Sequence, residues 1–309
     1  MPDVVVFGSG ALASLFAARL AHAGAEVTVA GAWPEALAAM RADGLTVEDP
    51  DSTWRARVAA LPRHGPLPRA GVVLVLVKAY QTAAVAADVR RAAAPGSLIV
   101  TLQNGRGNVE ALQAVAGPGH VVAGLTTAGA LLVRPGRVRS FPGTVVLGRG
   151  GAAEAVDAFA GLLRTAGLAT TALDDAEPAL WLKLAVNCAI NPVSALAGLP
   201  NGALLADPVL RERMSAAAHE VSVVARARGI DLGADPAGAA LAVASATASN
   251  RSSMLQDLDH GRPTEIDALC GAVCEEGRGL GVPTPINARL WMEVSERASA
   301  SARAARARA

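Results

Sequence analysis

Short apolar runs of strand length alternate with helical patterns through the first half of the chain. A continuous run such as Val72–Val77 is typical of a parallel strand that is covered on both faces. Strands separated by helices up to about residue 172 predict an α/β domain with a doubly wound, mostly parallel sheet. The predicted strands are Asp3–Phe7, Glu26–Ala30, Val72–Val77, Leu98–Leu102 and Val121–Leu125, then a strand pair within 138–148 around Pro142-Gly143 and a closing strand at 168–171.

Strand patterns end near residue 174, and the remaining sequence predicts helices. One helix, within Leu180–Pro192, carries Lys183, Asn187 and Asn191 at intervals of four residues among apolar positions. Side chains at this spacing lie along one face of a helix. This polar line either faces water or lines a cleft, where the lysine could donate a proton or bind an anion and the amides could bind a small polar ligand. We therefore predict two domains, an α/β domain at 1–174 and an all-α domain at 175–309.

The composition narrows the range of partners and compartments. The 309 residues include 28 basic and 27 acidic side chains, so the net charge of +1 offers no field for nucleic acid or an anionic membrane. Hydrophobic residues reach 52% mainly through alanine, and the longest strongly apolar run is too short to span a bilayer. The N-terminal residues lack the basic and cleavage regions of a signal peptide. We expect a cytoplasmic protein that binds neither nucleic acid nor membrane.

The cysteines and histidines give no sign of a metal centre. Three cysteines and five histidines are scattered along the chain, without the spacing of a disulfide framework or of metal ligands. Cys270 and Cys274 are expected to be packing residues of an apolar helix. We expect no metal cofactor.

A glycine-rich turn follows the first predicted strand and opens a helix. It has the sequence Gly8-Ser9-Gly10-Ala11-Leu12-Ala13, which fits the dinucleotide fingerprint G-x-G-x-x-A. In this motif the first glycine makes the tight turn, the second lets the backbone approach a pyrophosphate, and the alanine permits close helix packing. The free N–H groups at the helix N-terminus then bind phosphate. The motif predicts a nucleotide site.

The end of the second strand normally shows which dinucleotide is bound, through an acidic residue for NAD or an arginine for NADP. Here Ala30-Gly31-Ala32-Trp33 carries no charge. Arg41 could reach a 2′-phosphate, but its position equally suits a solvated helix face. The residues themselves therefore leave the choice between NAD and NADP open.

Further candidate side chains lie at strand ends and in the helical half. Lys78 and Asn104 follow two neighbouring predicted strands, at the sheet edge where ligands bind in α/β folds, although each could simply face water. In the second half, Asn201 lies in a turn that could return to the same cleft. Glu265 begins a predicted helix, where the helix dipole stabilises a carboxylate. Thr264 and Asp267 beside it suit a helix-capping pair, and His219 and Glu220 are expected to be structural.

Six short segments, distributed along nearly the whole chain, carry a resemblance to a known family. They are Gly8–Ala13, Val77–Gln81, Leu102–Gly105, Trp181–Pro192, Pro200–Gly202, and Ser252–Asp257 through Thr264–Asp267. This set resembles the ketopantoate reductase (2-dehydropantoate 2-reductase) family, and the last two segments are its most specific parts. The resemblance implies an N-terminal Rossmann domain, an all-α C-terminal domain, and NADPH-linked reduction of ketopantoate to pantoate, a step toward pantothenate and coenzyme A.

By motif position, the resemblance implies roles for individual residues. Lys183 would donate a proton to the carbonyl oxygen, and Glu265 would be the acidic residue beside it and the cofactor. The substrate would be bound by Asn187, Asn191, Asn201, Ser253 and also Asn104. The cofactor would be bound by Gly8, Ser9, Gly10, Ala11, Leu12, Ala13, Lys78, Asn104, Ala130 and Glu265.

Three features depart from the family's usual pattern. Ala30–Trp33 replaces the usual arginine after the second strand, and the segment 139–143 is only loosely similar. Arg106 stands where an apolar residue is usual, and an added cation at the cleft could alter which acid fits. Despite the missing arginine, the resemblance implies NADP(H) in preference to NAD(H).

Two alternatives stay open. One is a related reductase or dehydrogenase of the same fold that acts on another branched 2-keto or 3-hydroxy acid. The other, from a different class, is a non-catalytic NAD(P)-binding regulator. Among partners we expect a small 2-keto acid, and a homodimer is compatible with the alanine-rich helical half.

Overall fold

The computed structural model describes residues 3–306 and divides into two compact units. Unit 1 comprises Met1–Gln103 and Asn108–Ala176, and unit 2 comprises Asn104–Gly107 and Glu177–Ala309. The short segment Asn104–Gly107 therefore belongs to the second unit although it lies within the first half of the sequence.

Unit 1 is built from twelve strands and five α-helices in its described part. In chain order these are β1 (Val4–Phe7), α1 (Ala11–His22), β2 (Val27–Gly31), α2 (Pro34–Asp43), β3 (Leu45–Glu48), β4 (Thr53–Ala56), β5 (Ala59–Pro62), β6 (Ala70–Val75), α3 (Thr82–Ala92), β7 (Ala93–Thr101), α4 (Asn108–Ala116), β8 (Val121–Thr126), β9 (Gly129–Arg134), β10 (Arg137–Phe141), β11 (Thr144–Gly148), α5 (Ala153–Thr165) and β12 (Ala169–Leu173).

Eight of these strands form the main sheet, in the order β12-β11-β8-β7-β6-β1-β2-β5. All neighbouring pairs are parallel except β8 and β11, which are antiparallel. Consecutive residues of β1 pack into two different cores: Val4 and Val6 into one, Val5 and Phe7 into the other. Because strand side chains alternate between faces, both faces of the sheet are covered. The predicted doubly wound, mostly parallel sheet is confirmed.

A second, four-stranded sheet was not predicted. Its order is β4-β3-β10-β9, and it packs against α1. Both strands predicted within 138–148 are present, but their predicted pairing is wrong, because β10 lies in this small sheet whereas β11 joins the main sheet. A Cβ at Gly143, between the two strands, would lie 2.2 Å from Ala128 N, so glycine allows the chain to cross closely at this point.

The secondary-structure elements of unit 2 are all helices in its described residues, joined by turns and loops. Its α-helices are α6 (Glu177–Ala197), α7 (Pro208–Ala227), α8 (Pro236–Ala246), α9 (Ser253–Asp259), α10 (Ala272–Leu280) and α11 (Pro285–Arg306), with a 3-10 helix at Asn201–Ala206 and a π-helical turn at Asp267–Gly271. Trp181, Ile190, Met214, Leu255 and Leu290 are among the residues of its own hydrophobic core. The predicted helical second half is confirmed.

Helix α6 is long and apolar enough to cross a membrane by length and composition alone. However, 61% of its most apolar window is buried within the fold, and Trp181 at its start is fully buried. These features are those of a core helix, around which the rest of unit 2 packs.

Two local interactions shape the helices near the predicted site residues. The helix after Glu265 begins with the π-helical turn, whose N-terminus has no side-chain cap. The predicted capping by Thr264 and Asp267 is therefore wrong. Asp267 Oδ1 instead accepts a hydrogen bond from Trp291 Nε1 over 2.6 Å. Glu220 of α7 accepts hydrogen bonds from the backbone N–H groups of Ile286 and Asn287, over 2.8 and 2.9 Å. Glu220 thus caps α11, in agreement with its expected structural role.

Candidate active site

The glycine-rich turn of unit 1 adopts the geometry that a dinucleotide motif requires. Gly8 has a φ of 127°, and a Cβ there would lie 3.0 Å from Leu76 O and 3.1 Å from Ala13 Cβ. Packing within the protein therefore accounts for Gly8 and for the fully buried Ala13. A Cβ at Gly10 would meet no atom within 4 Å. The space beside Gly10 is open, and the N-terminus of α1 has no side-chain cap, so the residues fit a bound pyrophosphate.

The end of β2 lies next to residues that the sequence did not associate with it. Gly31 O accepts a hydrogen bond of 2.9 Å from Arg63 N, because β5 pairs with β2 in the sheet. The Arg63 guanidinium bonds Ala84 O over 3.2 Å and lies 3.9 Å from an Asp88 carboxylate oxygen. Arg63 was missed because nothing in the local pattern predicts the pairing of β5 with β2. Arg41 bonds Ala60 O over 3.2 Å.

Lys78 lies three residues beyond the end of β6, in a short turn that leads to α3. Gln103, just beyond β7, donates from Nε2 to Val77 O and to Thr82 Oγ1, each over 2.8 Å. These bonds hold the turn at the carboxyl edge of the sheet. Ala130 lies instead in β9 of the small sheet, which packs against α1.

The polar line on α6 is present as the spacing indicated. Lys183, Asn187 and Asn191 are each half-buried, whereas Leu184 and Cys188 between them are buried. Burial lowers the pKa of Lys183 from 10.5 to about 8, and the negative charge of Glu265 acts in the opposite direction. An ammonium facing open water would not lose hydration in this way.

Asn104 connects this line to Glu265. Asn187 Nδ2 donates to Asn104 Oδ1, and Asn104 Nδ2 donates to Glu265 Oε2, each over 3.4 Å. Glu265 is only 8% exposed. Both contacts are longer than an ordinary N–H···O hydrogen bond. Residues from three distant parts of the sequence therefore meet: Asn104, the α6 face and Glu265.

Two further candidates lie on segments that pack against α6. Asn201 lies in the 3-10 helix and is 7% exposed. Its Nδ2 donates to Thr247 Oγ1 over 2.9 Å. Its Oδ1 is buried and accepts no hydrogen bond from the described residues. Ser253 is exposed in the first turn of α9, and the buried Ser252 before it caps that helix through Leu255 N. Ser253 is thus free of the capping role.

Arg106 does not present an uncompensated cation. Its Nη1 lies 3.0 Å from Glu177 Oε2, and its Nε lies 3.1 Å from Glu276 Oε1. Its guanidinium also lies over the Trp181 ring, 4.9 Å from the ring centroid. The geometry therefore does not support the expectation that Arg106 offers a free charge to the substrate, because its guanidinium is already bound by two carboxylates and a ring.

Two further facts bear on the chemistry. Lys78 and Lys183 are the only lysines in the 309 residues, although the chain contains 28 basic residues. Among residues 3–306, no group of three or more His, Cys, Asp or Glu side chains is arranged to hold a metal ion. Unit 1 thus carries a glycine-rich turn that fits a pyrophosphate, and unit 2 carries a lysine, a carboxylate and amides that lie close together.

This combination defines a class, the two-unit dinucleotide-binding oxidoreductases with a helical second unit. Comparison with known proteins specifies the family. Residues 4–151 match the model "Ketopantoate reductase PanE/ApbA", and residues 175–298 match "Ketopantoate reductase PanE/ApbA C terminal". The chain belongs to the ketopantoate reductase family, as the sequence motifs indicated.

Individual relatives agree with this assignment. The chain is 38% identical to the 2-dehydropantoate 2-reductase of Halobacterium salinarum, over 92% of this chain and 94% of that protein. It is 34% identical to the 2-dehydropantoate 2-reductase of Archaeoglobus fulgidus, over 93% and 95%. These names support an oxidoreductase.

Solved structures share the fold. A PanE/ApbA family ketopantoate reductase from Ralstonia eutropha superposes with a TM-score of 0.89 at 31% identity, covering 97% of this chain and 99% of that one. A D-mandelate dehydrogenase with NADH and anilino(oxo)acetate gives a TM-score of 0.88, over the same shares, at 22% identity, which is a likeness of fold alone.

Proposed function

We propose that this protein reduces a 2-keto acid to the 2-hydroxy acid, with 2-dehydropantoate (ketopantoate) as substrate and pantoate as product. The observation that carries the proposal is the half-buried Lys183 on the face of α6 that also carries Asn187 and Asn191. Burial lowers the pKa of Lys183 to about 8, and the charge of Glu265 acts in the opposite direction. Asn104 connects Glu265 to Asn187 on the same helix face. The names of the relatives support ketopantoate as the substrate.

The proposed chemistry needs one proton from the protein. A reduced nicotinamide, when bound, supplies a hydride to the carbonyl carbon. As the C=O π electrons move onto oxygen, the Lys183 ammonium stabilises the developing alkoxide and transfers its proton to that oxygen. A pKa of about 8 leaves Lys183 mostly protonated at neutral pH and makes it a better acid than a lysine in water. Glu265 favours the charged, proton-donating form.

The polar side chains around Lys183 are proposed to bind the rest of the substrate. The amides of Asn187 and Asn191 and the hydroxyl of Ser253 can donate to the substrate carboxylate and hydroxyl groups. Asn201 Oδ1 is a buried acceptor that no described residue satisfies, so a substrate hydroxyl would remove the cost of leaving it unpaired. Asn104 could contact the substrate as well as the cofactor.

The proposed cofactor is NADP(H) in preference to NAD(H). The turn Gly8–Ala13 would hold the pyrophosphate, with Lys78, Asn104, Ala130 and Glu265 near the rest of the molecule. Ala30–Trp33 offers no carboxylate for the ribose hydroxyls of NAD. The main chain of Arg63 lies beside the end of β2, and its guanidinium would have to leave Ala84 O and Asp88 in order to bind a 2′-phosphate there.

The direct test follows the loss of absorbance at the reduced nicotinamide band. NADPH and NADH are each combined with ketopantoate and with other branched 2-keto acids. Rapid turnover of ketopantoate supports the proposal, and Lys183→Ala is expected to lower kcat by about a hundredfold or more with the fold retained. Turnover of a different acid would identify a related reductase instead. Cofactor binding without any turnover would favour a regulator.

A second set of measurements tests the cofactor preference. Arg63→Ala should raise KM for NADPH and leave KM for NADH nearly unchanged, because only NADPH carries the 2′-phosphate. Arg41→Ala is measured in the same way, because Arg41 is the other candidate for the 2′-phosphate, and the comparison shows which of the two arginines acts on NADPH. Equal effects of Arg63→Ala on both cofactors would refute the role of Arg63. A cytoplasmic location and a homodimer remain predictions, and light scattering on the purified protein measures the latter.

A further inference from the structure

The segment Asn104–Gly107 is fixed to unit 2 through its main chain. Arg106 N donates to Ala268 O over 2.9 Å. Gly105 has a φ of 82°, and a Cβ there would lie only 2.3 Å from the same Ala268 O. Glycine is therefore required at residue 105 for this approach. The contact places Asn104 beside the segment that carries Glu265.

The Arg106 side chain holds the segment at three more points. It is 16% exposed and bonds Glu177 at the start of α6 and Glu276 in α10, over 3.0 and 3.1 Å. Its guanidinium lies over the ring of Trp181, which is fully buried and donates from Nε1 to the same Glu177 over 3.0 Å. A planar guanidinium can form the two bonds and lie over the ring at once, whereas an ammonium cannot.

The charge of Arg106 is matched within this group. Glu177 and Glu276 supply two negative charges, and Arg228 supplies a second positive charge, 2.6 Å from Glu276 Oε2. Two cations thus face two carboxylates. A substrate carboxylate would have to compete with both glutamates for the guanidinium, so Arg106 is not suited to bind the acid directly.

We infer that Arg106 is a positioning residue for the proposed reaction. It holds the main chain of Asn104–Gly107 on unit 2 and so keeps the Asn104 amide between Asn187 and Glu265. It does not bind the keto acid. This inference rests on the proposed function for its kinetic consequences but not for its structural ones.

A double-mutant cycle tests whether Arg106 acts through Asn104. Arg106→Met removes both ion pairs and keeps a side chain that can cover Trp181, and it should lower kcat/KM for the keto acid about tenfold or more. Asn104→Ala is made alone and together with Arg106→Met. If Arg106 acts through Asn104, the double variant should match Asn104→Ala within about twofold. Multiplication of the two separate effects would overturn the inference.

Two further variants separate position from charge. Arg106→Lys keeps the charge without the planar geometry, so it should show most of the loss, and it replaces Arg106→Met if that variant does not fold. Recovery of normal kcat/KM in Arg106→Lys would mean that charge alone matters and would overturn the positioning role. Arg228→Met is the matched control, because it removes a cation from Glu276 without touching Asn104–Gly107, and it should change kcat/KM less than twofold.

Amide hydrogen exchange gives a reading that does not depend on activity. In the wild-type protein the Arg106 amide is bonded to Ala268 O and should be protected. Arg106→Met should accelerate exchange in the peptide spanning 104–107 about tenfold or more. Unchanged exchange would overturn the inference even if the enzyme is active. Absence of keto acid reduction by the wild type, with accelerated exchange in the variant, would refute the proposed function and leave the structural role of Arg106 supported.

Discussion

Replacing Lys183 by methionine should stabilise the folded protein at neutral pH while it abolishes proton donation. Burial lowers the pKa of Lys183 from 10.5 to about 8. At 1.36 kcal/mol per pKa unit, this difference corresponds to a cost of about 3 kcal/mol for keeping the lysine charged in the folded state. Methionine has a similar length and no charge, so it avoids this cost. The loss of the cation leaves the buried Glu265 without its counter-charge, which offsets part of the gain.

The stability difference between Lys183→Met and the wild type should depend on pH in one direction only. The pKa of Lys183 in the folded protein lies below its value in the unfolded chain, so the unfolded chain holds more protons between pH 8 and 10.5. The free energy of unfolding of the wild type should therefore rise with pH across this window. Lys183→Met should gain about 1–3 kcal/mol over the wild type at pH 7, and the gain should fall toward zero near pH 10.5.

The assay is urea denaturation of both proteins at pH 7, 8.5 and 10. Tryptophan fluorescence follows unit 2 in a background carrying Trp33→Phe and Trp54→Phe, because the remaining tryptophans, Trp181 and Trp291, both lie in unit 2. Titration of groups shared by both proteins cancels in the difference. A variant that is less stable than the wild type at pH 7, or a difference that does not change with pH, would refute the reasoning.

Three further predictions concern the same unit. The kcat/KM of the wild type should fall above about pH 8 as Lys183 loses its proton. Glu265→Gln should move this fall to lower pH, because it removes the charge that favours the ammonium. Profiles of kcat/KM against pH check both results, and NMR of 13C-labelled lysine gives an independent pKa from only two lysine signals. Glu220→Gln should lower the free energy of unfolding by about 1–3 kcal/mol, because its carboxylate caps α11, and a reduced urea midpoint at unchanged m-value checks this. Gly105→Ala should lower the free energy of unfolding by more than the roughly 1–2 kcal/mol of an ordinary alanine at positive φ, because its Cβ would meet Ala268 O. It should also reduce turnover. Normal stability and turnover in this variant would contradict the position of residue 105 against Ala268.

Local sequence patterns determined the elements and much of the candidate chemistry. The period of four on α6 placed Lys183, Asn187 and Asn191 on one face because helix geometry is a property of a few neighbouring residues. The turn Gly8–Ala13 was predictable for the same reason, since a strand, two glycines and a helix start are contiguous. The resemblance to the family also rested on contiguous motifs.

The tertiary structure alone decided which distant groups meet. Strand pairing placed Arg63 beside the end of β2, and it separated β10 from β11 into different sheets. Packing brought Arg106 against Glu177, Glu276 and Trp181, so that a residue expected to offer a free cation has its charge matched.

The pKa of Lys183 illustrates the same division. The sequence showed a lysine among apolar residues, but the extent of its burial and the approach of Glu265 depend on how whole helices pack. Helix and strand formation depends on interactions a few residues apart, whereas ion pairs, desolvation and steric contacts depend on distances through space between residues far apart in the chain. The sequence therefore predicted which side chains could react, and the fold decided their partners and their protonation.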